Sequence, residues 1–108
     1  MPAKAPALYP AQALLLVALG ERLRDARLRR GFSAQTVCAR ADISRPTLTK
    51  VEAGNAAVTM GTFLQVLRVL GLEQDVSVVA ADDVVGRRLQ DAKLPGRKRV
   101  VRQPKEPV

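Results

Sequence analysis

The chain has 108 residues, of which 47% are hydrophobic and only 3% aromatic. This length supports one compact domain with tails, and the composition predicts an aliphatic core. The formal net charge of +8 favours a polyanionic partner, although charge alone does not identify one. Histidine is absent and Cys38 is the only cysteine, which argues against zinc sites, disulfide frameworks and histidine-based acid–base chemistry. A reducing, cytoplasmic setting is expected.

The start of the chain divides into a proline-rich lead-in and an apolar run. Three prolines lie among alanines in residues 1–10, which predicts a poorly ordered lead-in outside the fold. The apolar run over residues 11–19 is too short to cross a bilayer and continues into charged positions. Neither a membrane span nor an export signal is therefore expected.

Apolar residues recur at helical spacing in segments that are bounded by capping residues or by helix-ending glycines. These segments are residues 11–30, 33–41, 44–54 and 59–71. Their apolar faces predict the core of the domain. The inward positions are Leu16, Leu19, Leu23, Ala26, Val37, Cys38, Leu48, Val51, Phe63, Val66, Leu67 and Leu70.

The C-terminal third is less clearly patterned. Residues 76–81 form a β-branched run that fits either a short helix or a strand. Asp82 and Asp83 favour the start of a last helix, and helix capping explains them more simply than carboxylate catalysis or a metal. The basic tail, residues 95–108, is either an arm that follows DNA phosphates or a disordered solubilising end.

The strongest functional signal is the spacing of five apolar positions, Val37, Cys38, Ile43, Leu48 and Val51. Apolar side chains at this spacing lock two short helices across a three-residue turn, as a helix-turn-helix requires. The alternative is a small helical domain with solvated arginines. For Cys38, a buried small side chain is the better interpretation than a redox switch.

The sequence resembles the Cro/repressor (Xre) family of helix-turn-helix proteins over residues 19–72. The matching positions are Leu19-Gly20, Leu23, Ala26-Arg27, Gly31-Phe32-Ser33, Ile43-Ser44-Arg45, Leu48, Glu52, Gly54 and Leu70-Gly71-Leu72. Cys38 and Asp42 replace the alanine and glycine usual in the family, but cysteine is small and aspartate tolerates a left-handed backbone. The resemblance implies an ion pair between Arg27 and Glu52.

The outward face of the third helix is expected to enter the major groove of DNA, with Arg45 as the main determinant of specificity. Its residues are Arg45, Pro46, Thr49 and Lys50. The resemblance implies phosphate contacts from helix starts and from the loop beyond the third helix. The positions expected to make them are Ser33, Gln35, Ser44, Thr47, Asn55 and Thr59.

The expected fold class is all-α. The expected architecture is a five-helix Cro/repressor-type fold. Four helices and a short apolar dimerisation segment lie in the helix-turn-helix domain, residues 11–81, and the fifth is the C-terminal helix, residues 82–94, which a disordered basic tail follows. One module contacts few base pairs, so a homodimer on a palindromic operator is expected. Its predicted surface contains Leu72, Val76, Val78 and Val79.

Three classes of function stay open: an autonomous transcriptional repressor, an antitoxin subunit that also binds DNA, and a nonspecific nucleic-acid-binding protein. Residues 85–95 look like the tail of HipB-like antitoxins, which implies a HipA-type serine/threonine kinase toxin as partner. No nucleophile–base pair, metal cluster or phosphate loop is apparent, so neither an enzyme nor a cofactor is expected.

Overall fold

The computed structural model describes residues 5–93 of the chain. Within this range the secondary structure is entirely helical, which confirms the expected all-α fold. The helices are α1 (Pro10–Arg29), α2 (Ala34–Ala41), α3 (Arg45–Ala53), α4 (Met60–Leu70), a 3₁₀ helix (Glu73–Val78) and α5 (Val84–Lys93). The predicted basic tail over residues 95–108 and residues 1–4 of the lead-in lie outside the described residues.

The starts of three helices follow directly from the sequence. Ser33, Ser44 and Thr59 are the N-caps of α2, α3 and α4, and each has the extended backbone that a capping residue adopts. At the other end of α2, Asp42 has a left-handed backbone with φ of 59°. Aspartate therefore takes the place where a glycine is common, and the turn between α2 and α3 keeps its shape.

The chain divides into two compact units, of which the first ends at Val76 and the second begins at Ser77. The first unit contains α1 to α4 around one predominantly aliphatic core, as the composition predicts. The buried residues are Leu23, Ala26, Val37, Cys38, Ala41, Leu48, Val51, Phe63, Val66, Leu67 and Leu70. Leu16 and Leu19 are only half-buried, and Leu19 packs against this cluster from its edge.

The apolar segment after α4 differs from the predicted dimerisation surface. Leu72 and Val76 are half-buried and pack against the core of their own unit, so they are less exposed than the sequence predicts, and the dimerisation surface itself stays a prediction. The physical reason is the helix end, where the Leu72 amide donates to the Leu67 carbonyl at 2.8 Å and folds the chain back. Val78 and Val79, by contrast, are 69% and 66% exposed.

The backbones of two helices lie very close together where α1 crosses the end of α3. A Cβ atom placed on Gly20 would lie 2.5 Å from the Glu52 carbonyl oxygen, and one on Gly54 would lie 2.5 Å from the Leu16 carbonyl oxygen. Both distances are too short for a side chain, so the two backbones are in direct contact. The glycines therefore set how deeply α3 is seated on α1.

This crossing makes Gly20→Ala destabilising. We expect the free energy of unfolding to fall by about 1 to 3 kcal/mol, because the new methyl group forces two backbones apart inside a packed region. Urea unfolding followed by circular dichroism at the helix signal measures the change.

Gly61→Ala is the matched control, since Gly61 lies in the first turn of α4 with no atom nearer than Thr59 Oγ1 at 3.9 Å. We expect this variant to be as stable as the parent or up to about 1 kcal/mol more stable, because alanine favours helix. Unchanged stability of Gly20→Ala would contradict the close crossing.

Candidate nucleic-acid interface

The turn between α2 and α3 is short and tightly bonded. It consists of residues 42–44, and the Ile43 amide donates to the Cys38 carbonyl at 3.0 Å. The Cys38 thiol in turn lies 3.6 Å from the Ser44 carbonyl oxygen, within reach of a weak hydrogen bond, while the side chain of Cys38 is buried. One buried residue of α2 thus contacts the middle and the last residue of the turn and helps to fix where α3 begins.

The two faces of α3 have different surroundings. Leu48 and Val51 are 2% and 0% exposed and anchor the helix to the core. The side chains predicted to read DNA are all exposed on the other face. They are Arg45, Pro46, Thr49 and Lys50. Thr49 donates its hydroxyl proton to the Arg45 carbonyl at 3.1 Å, so the hydroxyl can still accept a hydrogen bond and the methyl group remains for apolar contact.

Three helices begin with the same arrangement of two hydroxyl groups. The capping hydroxyl accepts the backbone amide three residues later at 3.0 Å in α2, 3.2 Å in α3 and 3.1 Å in α4. It also bonds the threonine hydroxyl at that later position at 2.9, 2.9 and 3.0 Å. The pairs are Ser33 with Thr36, Ser44 with Thr47, and Thr59 with Thr62.

These caps are electrically neutral. A capping box normally carries a glutamate or glutamine at the position that threonine occupies here, and the first turns of α2, α3 and α4 contain no acidic residue. The partial positive charge at each of these helix starts is therefore not balanced by a carboxylate within the first turn itself. Such helix starts favour an anion such as a phosphate group.

The remaining residues predicted to contact phosphates differ in exposure and in hydrogen bonding. Gln35 is exposed in the first turn of α2. Asn55 is half-buried, and its side-chain oxygen accepts the Ala57 amide at 2.7 Å, so part of this side chain closes the loop after α3. The cap residues of α4 share an open groove with the α2–α3 turn, which brings Thr59 and Thr62 near Asp42 and Ile43.

An ion pair joins α1 to the end of α3, where the family resemblance implies it. Arg27 Nε donates to Glu52 Oε2 at 2.7 Å and its Nη2 donates to Oε1 at 3.0 Å, while Nη1 donates to the Phe32 carbonyl at 3.2 Å. The two side chains are only 12% and 13% exposed. The hydrogen bond to Glu52 raises the pKa of the Arg27 guanidinium, which therefore stays charged.

Arg40 and Arg68 make contacts that were not among the sequence-based expectations. The Arg40 guanidinium lies 5.1 Å from the centre of the Phe32 ring, a cation–π contact, and Arg68 Nη2 donates to the Arg40 carbonyl at 2.9 Å. Both arginines thus brace the end of α2. Thr36 and Thr62 were also missed, although the repeated spacing of Ser or Thr followed by Thr three residues later is visible in the sequence.

Residues 5–93 hold no group of three or more His, Cys, Asp or Glu side chains arranged to hold a metal ion. Over the same range, none of the helices combines the length and the apolar character required to span a bilayer. The candidate interface contains helix starts, hydroxyl groups and cationic side chains.

The arrangement of α2, turn and α3 on α1 and α4 defines a helix-turn-helix protein. A family model described as a helix-turn-helix domain matches residues 18–78, more than half of the chain. The chain belongs to this helix-turn-helix family, and its domain is that of a DNA-binding regulator. A comparison with curated proteins found no match.

Breaking the ion pair between Arg27 and Glu52 tests how much this contact contributes to holding α3 on α1. We expect Arg27→Met to lower the free energy of unfolding by about 2 to 3 kcal/mol, because it leaves the Glu52 carboxylate and the Phe32 carbonyl without their donors in a mostly buried place. Thermal or urea unfolding measures the loss, and a double-mutant cycle with Glu52→Gln isolates the coupling between the two side chains.

Arg87→Met is the matched control, because the Arg87–Asp82 pair has side chains that are 61% and 80% exposed. Its cost should stay below about 0.5 to 1 kcal/mol, as for most exposed ion pairs. An equally small cost at Arg27 would show that the pair near α3 contributes no more than a surface contact.

Proposed function

We propose that this protein is a sequence-specific transcriptional repressor that binds a palindromic operator as a homodimer. The observation that carries the proposal is the exposed face of α3, which presents Arg45, Pro46, Thr49 and Lys50 while Leu48 and Val51 hold the helix on the core. A helix held by one face and exposed on the other is the shape that the major groove admits.

In the proposed complex, Arg45 at the first turn of α3 donates two hydrogen bonds to the O6 and N7 atoms of a guanine. Pro46 and the Thr49 methyl group contact a thymine methyl group, and Lys50 reaches a base or a phosphate. These contacts read sequence, because each base pair presents a different pattern of donors, acceptors and methyl groups in the major groove.

The helix starts supply the contacts that are independent of sequence. In α2 and α3 the serine hydroxyl donates to the threonine hydroxyl, so the Thr36 and Thr47 hydroxyl protons are directed to another acceptor. We propose that phosphate oxygens accept them and that the backbone amides of the same turns add to the site. Ser33, Gln35, Ser44, Asn55 and Thr59 complete this proposed clamp.

A homodimer doubles the number of base pairs read. Two α3 helices related by a two-fold axis reach successive major grooves when they lie about 34 Å apart. Repression then follows because the bound dimer occupies DNA that RNA polymerase needs, with no small ligand required. The competing class, nonspecific nucleic-acid binding, rests on the net charge of +8 and predicts no preferred sequence.

A narrower proposal concerns a protein partner. The similarity of residues 85–95 to the tail of HipB-like antitoxins supports a second role, in which the repressor also holds a HipA-type serine/threonine kinase toxin. The test is co-purification of the full chain with the product of a kinase-like reading frame beside its own gene. A neighbouring gene of another kind, or a kinase that fails to co-purify at equal expression, rejects this role.

Selection of bound duplexes from a random DNA pool at physiological salt tests the central proposal. We expect an enriched palindrome whose half-sites are about one helical turn apart, and competition by unselected DNA should be weak. A pool without enrichment, together with affinity that disappears as salt rises, would assign the protein to nonspecific binding.

Arg45→Ala should weaken binding to the selected operator by about 1 to 3 kcal/mol and binding to unselected DNA far less, because only the operator contact depends on a guanine. Arg24→Ala removes the same charge from an exposed position on α1 and is the control. Fluorescence anisotropy on both duplexes measures the difference. Equal losses on both duplexes would make Arg45 a phosphate contact.

A further inference from the structure

The first half of α1 is apolar on all of its sides. Residues 5–20 contain no charged side chain, and residues 13–19 are apolar without interruption. Leu16 and Leu19 are half-buried on the side that faces the rest of the unit, but the first buried residue of the helix is Gly20. A helix that is apolar all round is normally covered all round. The far side of this segment therefore lacks the cover that its composition requires.

Four residues form this uncovered side, which we call the α1 face. They are Ala11, Leu14, Leu15 and Ala18. At about 100° per residue, they fall within one arc of about 100° around the helix. Leu14 and Leu15 are 70% and 72% exposed, Ala11 is exposed and Ala18 is half-buried. Gly20, which touches the end of α3, lies about 160° around the helix from Ala18. A partner on the α1 face thus lies on the side of α1 away from α3.

The pattern of side-chain sizes on the α1 face reads the same in both directions. Alanine, leucine, leucine and alanine follow one another along it, and each alanine is three residues from the nearer leucine. A two-fold axis that passes between Leu14 and Leu15 places Leu14 of one copy beside Leu15 of the other, and Ala11 beside Ala18. The large side chains meet at the centre, and the small ones let the helices approach closely at both ends. This symmetry identifies a second copy of the chain as the occupant.

The positions of the charged residues favour the same arrangement. In the antiparallel pair, Pro10 of one copy lies opposite Leu19 of the other, so the overlap of the two helices ends before Glu21, the first charged residue of α1. A parallel pair would continue along the same side into Arg22 and Asp25, and each charge would meet its own counterpart. The antiparallel pair brings no like charges together within its overlap.

We propose that the α1 face packs antiparallel against the α1 face of a second copy of this chain, with the two-fold axis between Leu14 and Leu15. This inference rests on the homodimer of the proposed function and gives that dimer a contact at α1, apart from the surface predicted beyond α4. About three helical turns bury less than the roughly 800 Å² per partner of a standard interface. The pair is therefore weak in free solution and gains strength when DNA holds two copies together.

Sedimentation equilibrium of the full chain across about 1 to 500 µM tests the pairing, since this range suits a small interface. We expect reversible dimers for the parent and a dissociation constant raised about tenfold or more for Leu15→Glu, which places a carboxylate in the apolar contact. Leu28→Glu is the matched control, because Leu28 is 49% exposed on the same helix and lies outside the overlap. It should leave the dimer unchanged, and circular dichroism confirms that both variants keep the helix content of the parent.

Two outcomes of this experiment overturn the proposal. Equal effects of Leu15→Glu and Leu28→Glu show that the contact does not lie on the α1 face. A monomeric parent shows that the face does not pair at all. If that monomeric parent co-sediments with phosphatidylcholine vesicles and Leu15→Glu does not, the α1 face contacts lipid in place of a second copy.

Cross-linking tests the antiparallel register. In a Cys38→Ala background, Ala11→Cys and Ala18→Cys are prepared as separate chains and oxidised alone or as a mixture. We expect a disulfide-linked heterodimer in the mixture and little product from either chain alone, because a disulfide requires two Cα atoms within about 7 Å. Products from each chain alone indicate a parallel pair, and a mixture without product shows that the two positions do not meet. Either result overturns the arrangement.

DNA binding separates this inference from the proposed function. Leu15→Glu should bind an isolated half-site as the parent does and lose affinity for the full palindrome. If the parent prefers the palindrome and Leu15→Glu binds it equally well, the dimer contact lies elsewhere and the repressor proposal stands. If the parent dimerises through α1 but prefers no sequence, the pairing stands and the repressor proposal fails.

Discussion

Two polypeptide backbones touch where α1 crosses the end of α3, at Gly20 and Gly54. This contact leaves the distance between α1 and α3 little freedom. Neither backbone can move closer, and a carbon atom added at either glycine forces the two helices apart. A short distance along the same two helices, Arg27 donates two hydrogen bonds to the Glu52 carboxylate. This forked ion pair restricts the orientation of α3 relative to α1. Together they specify both the depth and the rotation of α3.

The orientation of the exposed face of α3 depends on this contact with α1. A helix of nine residues has two turns and a half, so it cannot keep its own orientation without support at both ends. Gly54 and Glu52 support the last turn, while Ser44 and the tightly bonded turn support the first. The base contacts proposed for α3 require side chains placed to within about 0.5 Å, and support at both ends of the helix favours such placement.

The sequence predicts most of what depends on neighbours along the chain. Capping by Ser33, Ser44 and Thr59 and the left-handed backbone of Asp42 follow from local preferences, and the buried faces of α3 and α4 follow from helical spacing. These features involve residues at most a few turns apart. Local residue chemistry and short-range spacing are therefore enough to identify them.

Contacts between distant segments are harder to predict. Leu72 and Val76 are apolar whether they face a partner or their own core, and only the fold reveals that they pack inward. Gly20 lies in the middle of a long helix, where the pattern indicates a reason for glycine but not which backbone approaches it. The bracing of α2 by Arg68 joins residues 28 positions apart, and composition carries no signal for such a pair.

The neutral hydroxyl caps have a consequence for how ionic strength acts on a complex with DNA. Each lysine or arginine that neutralises a phosphate releases condensed counterions, and affinity then falls steeply as salt is added. Hydroxyl and amide donors at three helix starts carry no net charge and therefore release none. In the proposed complex, phosphate contacts of this kind therefore add to affinity without adding to its salt dependence, so the number of released counterions is smaller than the number of phosphates contacted.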